Sequence, residues 1–116
     1  MDLTLDLSYL KMLSDGDIDF IATILETFVE EIPKDIKGIK DAVEIKDNSQ
    51  IGKLAHKTKS SLHTLGFAEL KEMAFEIEQK AKKDTTNTML LSRVDTFTTQ
   101  LEKATHLVSQ KLTSLA

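Results

Sequence analysis

IGKLAHKTKSSLHTLGFAEL, residues 51–70, is the stretch around which the rest of this 116-residue chain is organised. Positions that would share one buried face recur here at the i, i+3, i+4, i+7 spacing of an α-helix. They are Ile51, Leu54, Ala55, Thr58, Leu62 and Leu65. The pattern predicts a helix over about residues 49–64, which Gly66 ends as a left-handed residue after the last turn.

The opposite side of this helix gathers a second set of residues into one sector, because each residue turns an α-helix by about 100°. The set is Gly52, His56, Lys59, Ser60 and His63. His56 is therefore expected to point outward, with the small residues Gly52 and Ser60 one turn before and after it. Lys59 stands beside it, three residues further on. The pattern predicts an exposed histidine that a bulky group can approach.

The same stretch resembles the signature helix of histidine-containing phosphotransfer (HPt) domains. These domains show Ala-His, a lysine three residues on, small residues after it, then Leu-Gly and a leucine four further. The matching positions here are Ala55, His56, Lys59, Ser60, Ser61, Leu65, Gly66 and Leu70. The family usually has glycine where this chain has Ser60, but serine is still small and leaves room for an incoming receiver domain.

The resemblance implies that His56 accepts a phosphoryl group from the phospho-aspartate of one receiver domain and passes it to another. Neutral imidazole is a good nucleophile near neutral pH, and Nε2 is the expected attacking atom. Lys59 would stabilise the phosphoryl oxygens by its charge, and Ser60 would do so by a hydroxyl hydrogen bond. The chain would then be a phosphocarrier in a phosphorelay and not an enzyme with its own nucleotide site.

The resemblance also implies the partners, which are receiver domains of hybrid sensor kinases and of response regulators. No cofactor or metal is expected in the chain, and Mg²⁺ would come with the receiver. Such partners dock on a small apolar patch around the histidine. The residues predicted for this docking face are Gly52, His63, Ile18, Ile21 and Leu25.

Composition sets the limits of the fold. Apolar residues make up 41% of the chain, with only four Gly, one Pro and no Cys. This composition favours an all-helical single domain over residues 1–116, without disulfides or thiolate metal sites. The net charge of −4 argues against nucleic-acid binding, which needs a basic face. No long apolar run or basic-apolar leader is present, so a cytoplasmic protein away from the membrane is expected. A monomer is expected because an HPt fold of this length has one continuous core.

The remaining helices follow from the same kind of periodicity. One helix is predicted over residues 17–31, with Asp17 as its N-cap. Pro33 separates it from a second helix over residues 33–46. A further helix is predicted over residues 67–83. A polar loop with Thr86 or Asn87 as cap then precedes a last helix. Its apolar stripe is Leu90, Val94, Phe97, Leu101, Ala104, Val108, Leu112 and Leu115.

The first 14 residues are predicted to form a short amphipathic piece across one end of the bundle. Its shared apolar side is Leu3, Leu7, Leu10 and Leu13. Short loops make successive long helices antiparallel neighbours. The predicted architecture is therefore an antiparallel up-down four-helix bundle with a short additional N-terminal helix.

Two other function classes compete with phosphotransfer. The first is a non-catalytic helical docking module that binds a signalling partner through the His56 face. The second is a histidine-based hydrolase, which is disfavoured because no acidic residue lies three or four positions from His56 on its helix. A metal site at His56 and His63 is also disfavoured, because seven residues separate them by about 10.5 Å along the axis. His106 is expected to face solvent.

Overall fold

The computed structural model describes residues 2–83 and 88–115. Its helices are α1 (Ser8–Ser14), α2 (Ile18–Glu44), α3 (Asn48–Thr64), α4 (Ala68–Lys82) and α5 (Thr88–Leu115). The long helix α2 packs against α3 and α5, and α4 packs against the same two helices. Three-residue turns join α2 to α3 and α3 to α4, so these neighbours run antiparallel. The predicted all-α up-down four-helix bundle with a short N-terminal helix is confirmed.

One core runs through the bundle, and the predicted apolar stripes supply it. On α3 the side chains of Ile51, Ala55, Thr58 and Leu62 are buried. On α5 the stripe from Leu90 to Val108 is buried as predicted, and its last two leucines pack against the core half-buried. Asp17 caps α2 by accepting hydrogen bonds from the N–H groups of Asp19 and Phe20. The predicted cap at Thr86 or Asn87 lies outside the described residues.

Pro33 does not divide the second helix. The sequence predicts two helices, over residues 17–31 and 33–46, but α2 runs from Ile18 to Glu44 with Pro33 inside it. The apolar stripe continues in register on both sides, at the buried residues Ile32 and Ile36. Each such side chain stabilises the fold by about 1.5–3 kcal/mol, so the whole stripe outweighs a proline penalty of about 3 kcal/mol. Pro33 is exposed, where water can hydrate the carbonyl left without a partner.

The N-terminal segment is less helical than its leucine spacing predicts. Only residues 8–14 form α1, and residues 2–7 cross the bundle end without regular structure. Leu7 and Leu10 are buried and Leu3 packs against the core. The prediction that Leu13 shares their side is wrong, because Leu13 lies six residues after Leu7, and six steps of about 100° turn it about 120° away from Leu7. Leu13 is 57% exposed.

The end of α3 explains the Leu-Gly pair of the organising stretch. Gly66 has φ +76°, and its N–H donates to the carbonyl of His63 while that of Phe67 donates to the carbonyl of Leu62. These two hydrogen bonds form a Schellman motif, which satisfies carbonyls at the helix end. The turn after α2 is built in the same way with Lys46 at φ +58°. The turn by itself therefore tolerates a side chain.

Gly66 is required because the N-terminal segment passes directly over it. The N–H of Asp6 donates to the carbonyl of Leu65 at 3.1 Å. This bond brings the N-terminal segment so close that a Cβ on Gly66 would lie 2.6 Å from the Cβ and the carbonyl oxygen of Asp6. The glycine thus lets the segment close the end of the bundle beside α3.

Gly66→Ala is expected to destabilise the protein by more than Gly16→Ala. Gly16 has nearly the same φ, +79°, but open space where a Cβ would stand, so it reports the backbone strain alone. That strain is on the order of 1–3 kcal/mol, and Gly66→Ala adds the collision with Asp6. Urea unfolding of the two variants and the wild type measures the difference. Equal losses would show that the contact with Asp6 carries no stability.

Candidate functional site

His56 stands on the outer side of α3. Its side chain is 64% exposed, whereas its neighbours Ala55 and Thr58 are buried. The helical period that buries those two residues therefore turns the imidazole away from the core, as the sequence predicts. The ring is open to a large partner.

The imidazole is held by a carboxylate from the next helix. Glu78 on α4 is only 7% exposed, and its Oε2 lies 2.7 Å from Nδ1 of His56. Its Oε1 accepts a hydrogen bond from Nζ of Lys59, also at 2.7 Å. The ammonium of Lys82 lies 3.8 Å from Oε2. Each oxygen of this buried carboxylate thus has a charged or polar partner, as a buried charge requires.

The ionised state of Glu78 fixes which ring nitrogen is free. The hydrogen bond from Lys59 is the largest cause that holds the pKa of Glu78 below its ordinary value, and the nearby charges of Lys59 and His56 act in the same direction. The carboxylate is therefore ionised at neutral pH and can only accept. Nδ1 of His56 must then carry the proton and donate it, which leaves Nε2 with a bare lone pair on the exposed side of the ring.

Lys59 stands beside His56 as the helical pattern predicts, but it is largely covered by α4. Its side chain is 23% exposed, and its Nζ lies 5.2 Å from the centroid of the Phe75 ring as well as against Glu78. The aromatic face and the carboxylate together hold the ammonium near His56. Ser60, one turn beyond His56, is exposed.

Gly52 is small for a different reason from the one predicted. It is buried, and a Cβ on it would lie 3.2 Å from the Cβ of Ala81. The prediction that Gly52 lies open beneath a docking partner is therefore wrong, because α4 covers it. The small pair Gly52 and Ala81 lets α3 and α4 approach closely, and this approach brings Glu78 within reach of His56.

Two residues of the predicted docking face belong to the core. Ile21 and Leu25 are 2% and 0% exposed, so their assignment to a docking surface is wrong. They share the stripe of Phe28 and Ile32, which α2 turns toward the other helices. Ile18 is 54% exposed. Other large apolar side chains are exposed nearby in sequence, on α1 and at the start of α2; they are Tyr9, Met12, Leu13 and Phe20.

His63 is exposed like His56 but has the opposite kind of partner. Nζ of Lys71 lies 3.3 Å from its Nδ1, and the ring of Tyr9 meets its ring edge-on, with centroids 5.1 Å apart. An ammonium can only donate, so Nδ1 of His63 must accept and Nε2 must carry the proton. His63 therefore presents an N–H donor to solvent where His56 presents a lone pair.

A groove opens between α3 and α4 beside the His56 ring. Its volume is about 730 Å³, and its lining residues are Asn48, Ser49, Gly52, Lys53, His56, Glu78, Ala81 and Lys82. Lys53 and Lys82 stand on its two walls, one on each helix, while Gly52 and Ala81 are its small apolar residues. The groove gives a ligand with negative charge access to the histidine.

The described part of the chain holds no candidate metal cluster and no membrane-spanning helix. Within residues 2–83 and 88–115, no group of three or more histidine, aspartate or glutamate side chains could hold a metal ion. Over the same ranges no helix is both long and apolar enough to cross a membrane. The expectation that Mg²⁺ comes with a partner stays a prediction.

Sequence reasoning missed Glu78 because it looked for an acid only on the helix of His56. The signal was present on α4, where Glu78 lies four residues after Ala74 and next to Ile77, inside the buried stripe. A carboxylate at a core-flanking position indicates a charged partner on the facing helix. The objection that His56 lacks an orienting carboxylate is therefore corrected.

The proton positions of the two histidines can be tested directly. We expect nitrogen-15 NMR at neutral pH to show Nδ1 protonated and Nε2 bare in His56, and the reverse in His63. Glu78→Ala should return the His56 ring to a mixture of the two tautomers without changing His63. Lys71→Met should give a mixture of the two tautomers in His63 without changing His56. A wild-type His56 ring with its proton on Nε2 would contradict the hydrogen bond to Glu78.

Comparison with known proteins identifies the family and the fold of the chain. The family model described as "Hpt domain" matches residues 23–111. Among solved structures, the chain is similar to the crystal structure of histidine-containing phosphotransfer protein B (HptB) from Pseudomonas aeruginosa PAO1, with a TM-score of 0.75 and 22% identity over 95% of this chain and 91% of that one. At this identity the likeness shows the fold alone, and no curated protein matches the sequence. Because the family model spans well over half of the chain, the protein belongs to the Hpt family of histidine-containing phosphotransfer domains.

Proposed function

We propose that the protein carries a phosphoryl group on Nε2 of His56 between the phospho-aspartate of one receiver domain and the aspartate of another. Membership of the Hpt family makes the chain a histidine phosphotransfer module of a phosphorelay, and the family implies receiver domains as partners. The observation that carries the assignment to His56 is the 2.7 Å contact of its Nδ1 with the buried carboxylate of Glu78. That contact leaves Nε2 bare on an exposed ring.

The forward step needs three things from this chain. The lone pair of Nε2 attacks the phosphorus, the new P–N bond forms, and the acyl P–O bond breaks so that the receiver recovers its aspartate carboxylate. The imidazole becomes a positively charged ring as it reacts, and the ionised Glu78 stabilises that charge through Nδ1. Lys59 lies against the same carboxylate, so its ammonium is placed to turn toward the phosphoryl oxygens.

The same contacts serve the return step. When the second receiver attacks the phosphorus, the P–N bond breaks and the electron pair returns to Nε2. Because Glu78 keeps the proton on Nδ1, the group that leaves is a neutral imidazole and not an imidazolate anion. A neutral leaving group makes transfer possible in both directions, as a carrier requires. No nucleotide or resident metal enters either step, and Mg²⁺ is expected from the receiver.

Docking would use exposed residues around the histidine. Ser60 and His63 lie on the same side of α3 as His56, and Ile18 is exposed at the start of α2. The ring contact between Tyr9 and His63 joins α1 to this side of α3. We infer that a receiver covers Ser60 and His63 while its phospho-aspartate reaches Nε2. A single small domain can do this as a monomer.

Transfer from a phosphorylated receiver tests the assignment. Mixed with such a receiver and Mg²⁺, the wild type should gain a phosphoryl group that is stable in base and lost in acid. Phosphorus NMR and a Phos-tag gel follow the label. His56→Gln should gain none, while His106→Gln, which changes another exposed histidine, should gain as much as the wild type.

Two outcomes would redirect the proposal to the other function classes. Tight receiver binding without label on any histidine would indicate a non-catalytic docking module. Continued release of phosphate beyond one equivalent per chain would indicate a hydrolase, for which the His56–Glu78 pair would act as a general base. Both outcomes are read in the same experiment, provided that circular dichroism shows the helical fold intact.

Ser60→Arg should slow transfer by blocking the approach to His56. Ser60 is exposed one turn from the ring, so the longer side chain enters the space of the partner without touching the core. We expect a loss of at least about tenfold in rate, since about 1.4 kcal/mol of lost docking energy suffices for that. Ser109→Arg makes the same change at an exposed site on α5, which packs against α2 and α4, and should leave the rate unchanged. Wild-type rates in both variants would remove Ser60 from the docking surface.

A further inference from the structure

Positive side chains are concentrated around His56. α3 has three lysines and no acidic residue, although the whole chain has a net charge of −4. Lys57 is bound to the buried carboxylate of Asp35 at 2.8 Å. Lys53 lies on the wall of the α3–α4 groove and forms no such pair with any of residues 2–83 and 88–115. Glu78 is flanked by two ammonium groups, those of Lys59 and Lys82. One carboxylate against two ammonium groups, with Lys53 lining the same groove, leaves a surplus of positive charge beside the His56 ring.

The groove gives this charge a ligand-sized space. About 730 Å³ lies within the range of small-molecule sites in proteins. Its small apolar residues Gly52 and Ala81 leave room close to the ring, and Ser49 adds a hydroxyl. An anionic molecule of a few to some tens of atoms can therefore lie between Lys53 and Lys82 with its phosphorus against His56. A protein partner is not needed to fill that space.

We propose that His56 also accepts a phosphoryl group directly from small phosphoryl donors of the phosphoramidate and acyl phosphate class, which bind in the α3–α4 groove. The inference rests on the proposed role of His56 as the nucleophile and adds a donor that is not a protein. In the step with phosphoramidate, the Nε2 lone pair attacks phosphorus and the P–Nε2 bond forms. The donor nitrogen leaves from its protonated –NH3⁺ form, so the bond from phosphorus to this nitrogen breaks with the electron pair on nitrogen and neutral ammonia is released. With an acyl phosphate the P–O bond breaks and a carboxylate leaves.

The other two histidines provide internal references. His63 has its Nδ1 occupied by the ammonium of Lys71, so its exposed nitrogen carries a proton and is not nucleophilic. His106 lies on α5 near Glu102 and Lys103, away from the α3–α4 groove. All three side chains are exposed, so exposure alone cannot select among them. A faster reaction at His56 than at His63 and His106 would therefore indicate an effect of the Glu78 carboxylate and of the α3–α4 groove.

The test treats the whole protein with phosphoramidate and no receiver, then maps the modified histidines by mass spectrometry at neutral pH and by phosphorus NMR. We expect His56 to react about tenfold or more faster than His63 and His106, since a charged cleft raises the local concentration of an anion by that order. The double variant Lys53→Ala/Lys82→Ala should lose most of this preference. Lys11→Ala, which removes an exposed lysine of α1, should keep it.

The outcomes distinguish direct phosphorylation by a small donor from phosphorylation by a receiver domain. Equal labelling of the three histidines, or a preference unchanged in the double variant, would overturn the groove as a donor site. No label from phosphoramidate together with label from a phosphorylated receiver would also overturn it, and would leave the receiver-dependent role in place. No label on His56 from either donor would overturn both.

Discussion

The buried carboxylate of Glu78 is the constraint on which the rest of the site depends. An ionised carboxylate that is 7% exposed must be fully paired, and His56 and Lys59 supply the pairing from the facing helix at 2.7 Å each. The small residues Gly52 and Ala81 allow the close approach of α3 and α4 that these distances need. The same contacts therefore hold two helices together and orient the imidazole as the proposed nucleophilic attack requires.

Partner charge, more than exposure, distinguishes the two histidines of α3. His56 and His63 lie seven residues apart on one side of the helix and both are exposed. A carboxylate at Nδ1 forces a bare Nε2 in His56, whereas an ammonium at Nδ1 forces a protonated Nε2 in His63. Two chemically identical side chains thus present opposite groups, a bare nitrogen that suits the proposed nucleophile and a hydrogen-bond donor.

The parts of the fold that sequence predicts are those that depend on local periodicity. The stripes of α3 and α5, the Asp17 cap and the end of α3 at Gly66 follow from spacing along one element. The missed features depend on two elements at once. Glu78 reaches His56 only when α3 meets α4, Gly52 is covered only by Ala81, and Gly66 is needed because Asp6 crosses it. Ile21 and Leu25 were misplaced for the same reason, since the direction of a stripe is fixed by the helices around it.

In the proposed transfer, an exchange of partners around Glu78 would allow the site to hold a phosphoryl group without isolating a buried charge. A phosphoryl group on Nε2 brings a charge of roughly −1.5 to −2 to the surface of α3. Lys59 can turn toward it, because the carboxylate that it leaves still receives the Nδ1–H of a ring that has become positive. Lys82, at 3.8 Å from the same carboxylate, is near enough to compensate further. Glu78 would therefore stay paired in both states, so neither step of the proposed transfer would leave its buried charge without a partner.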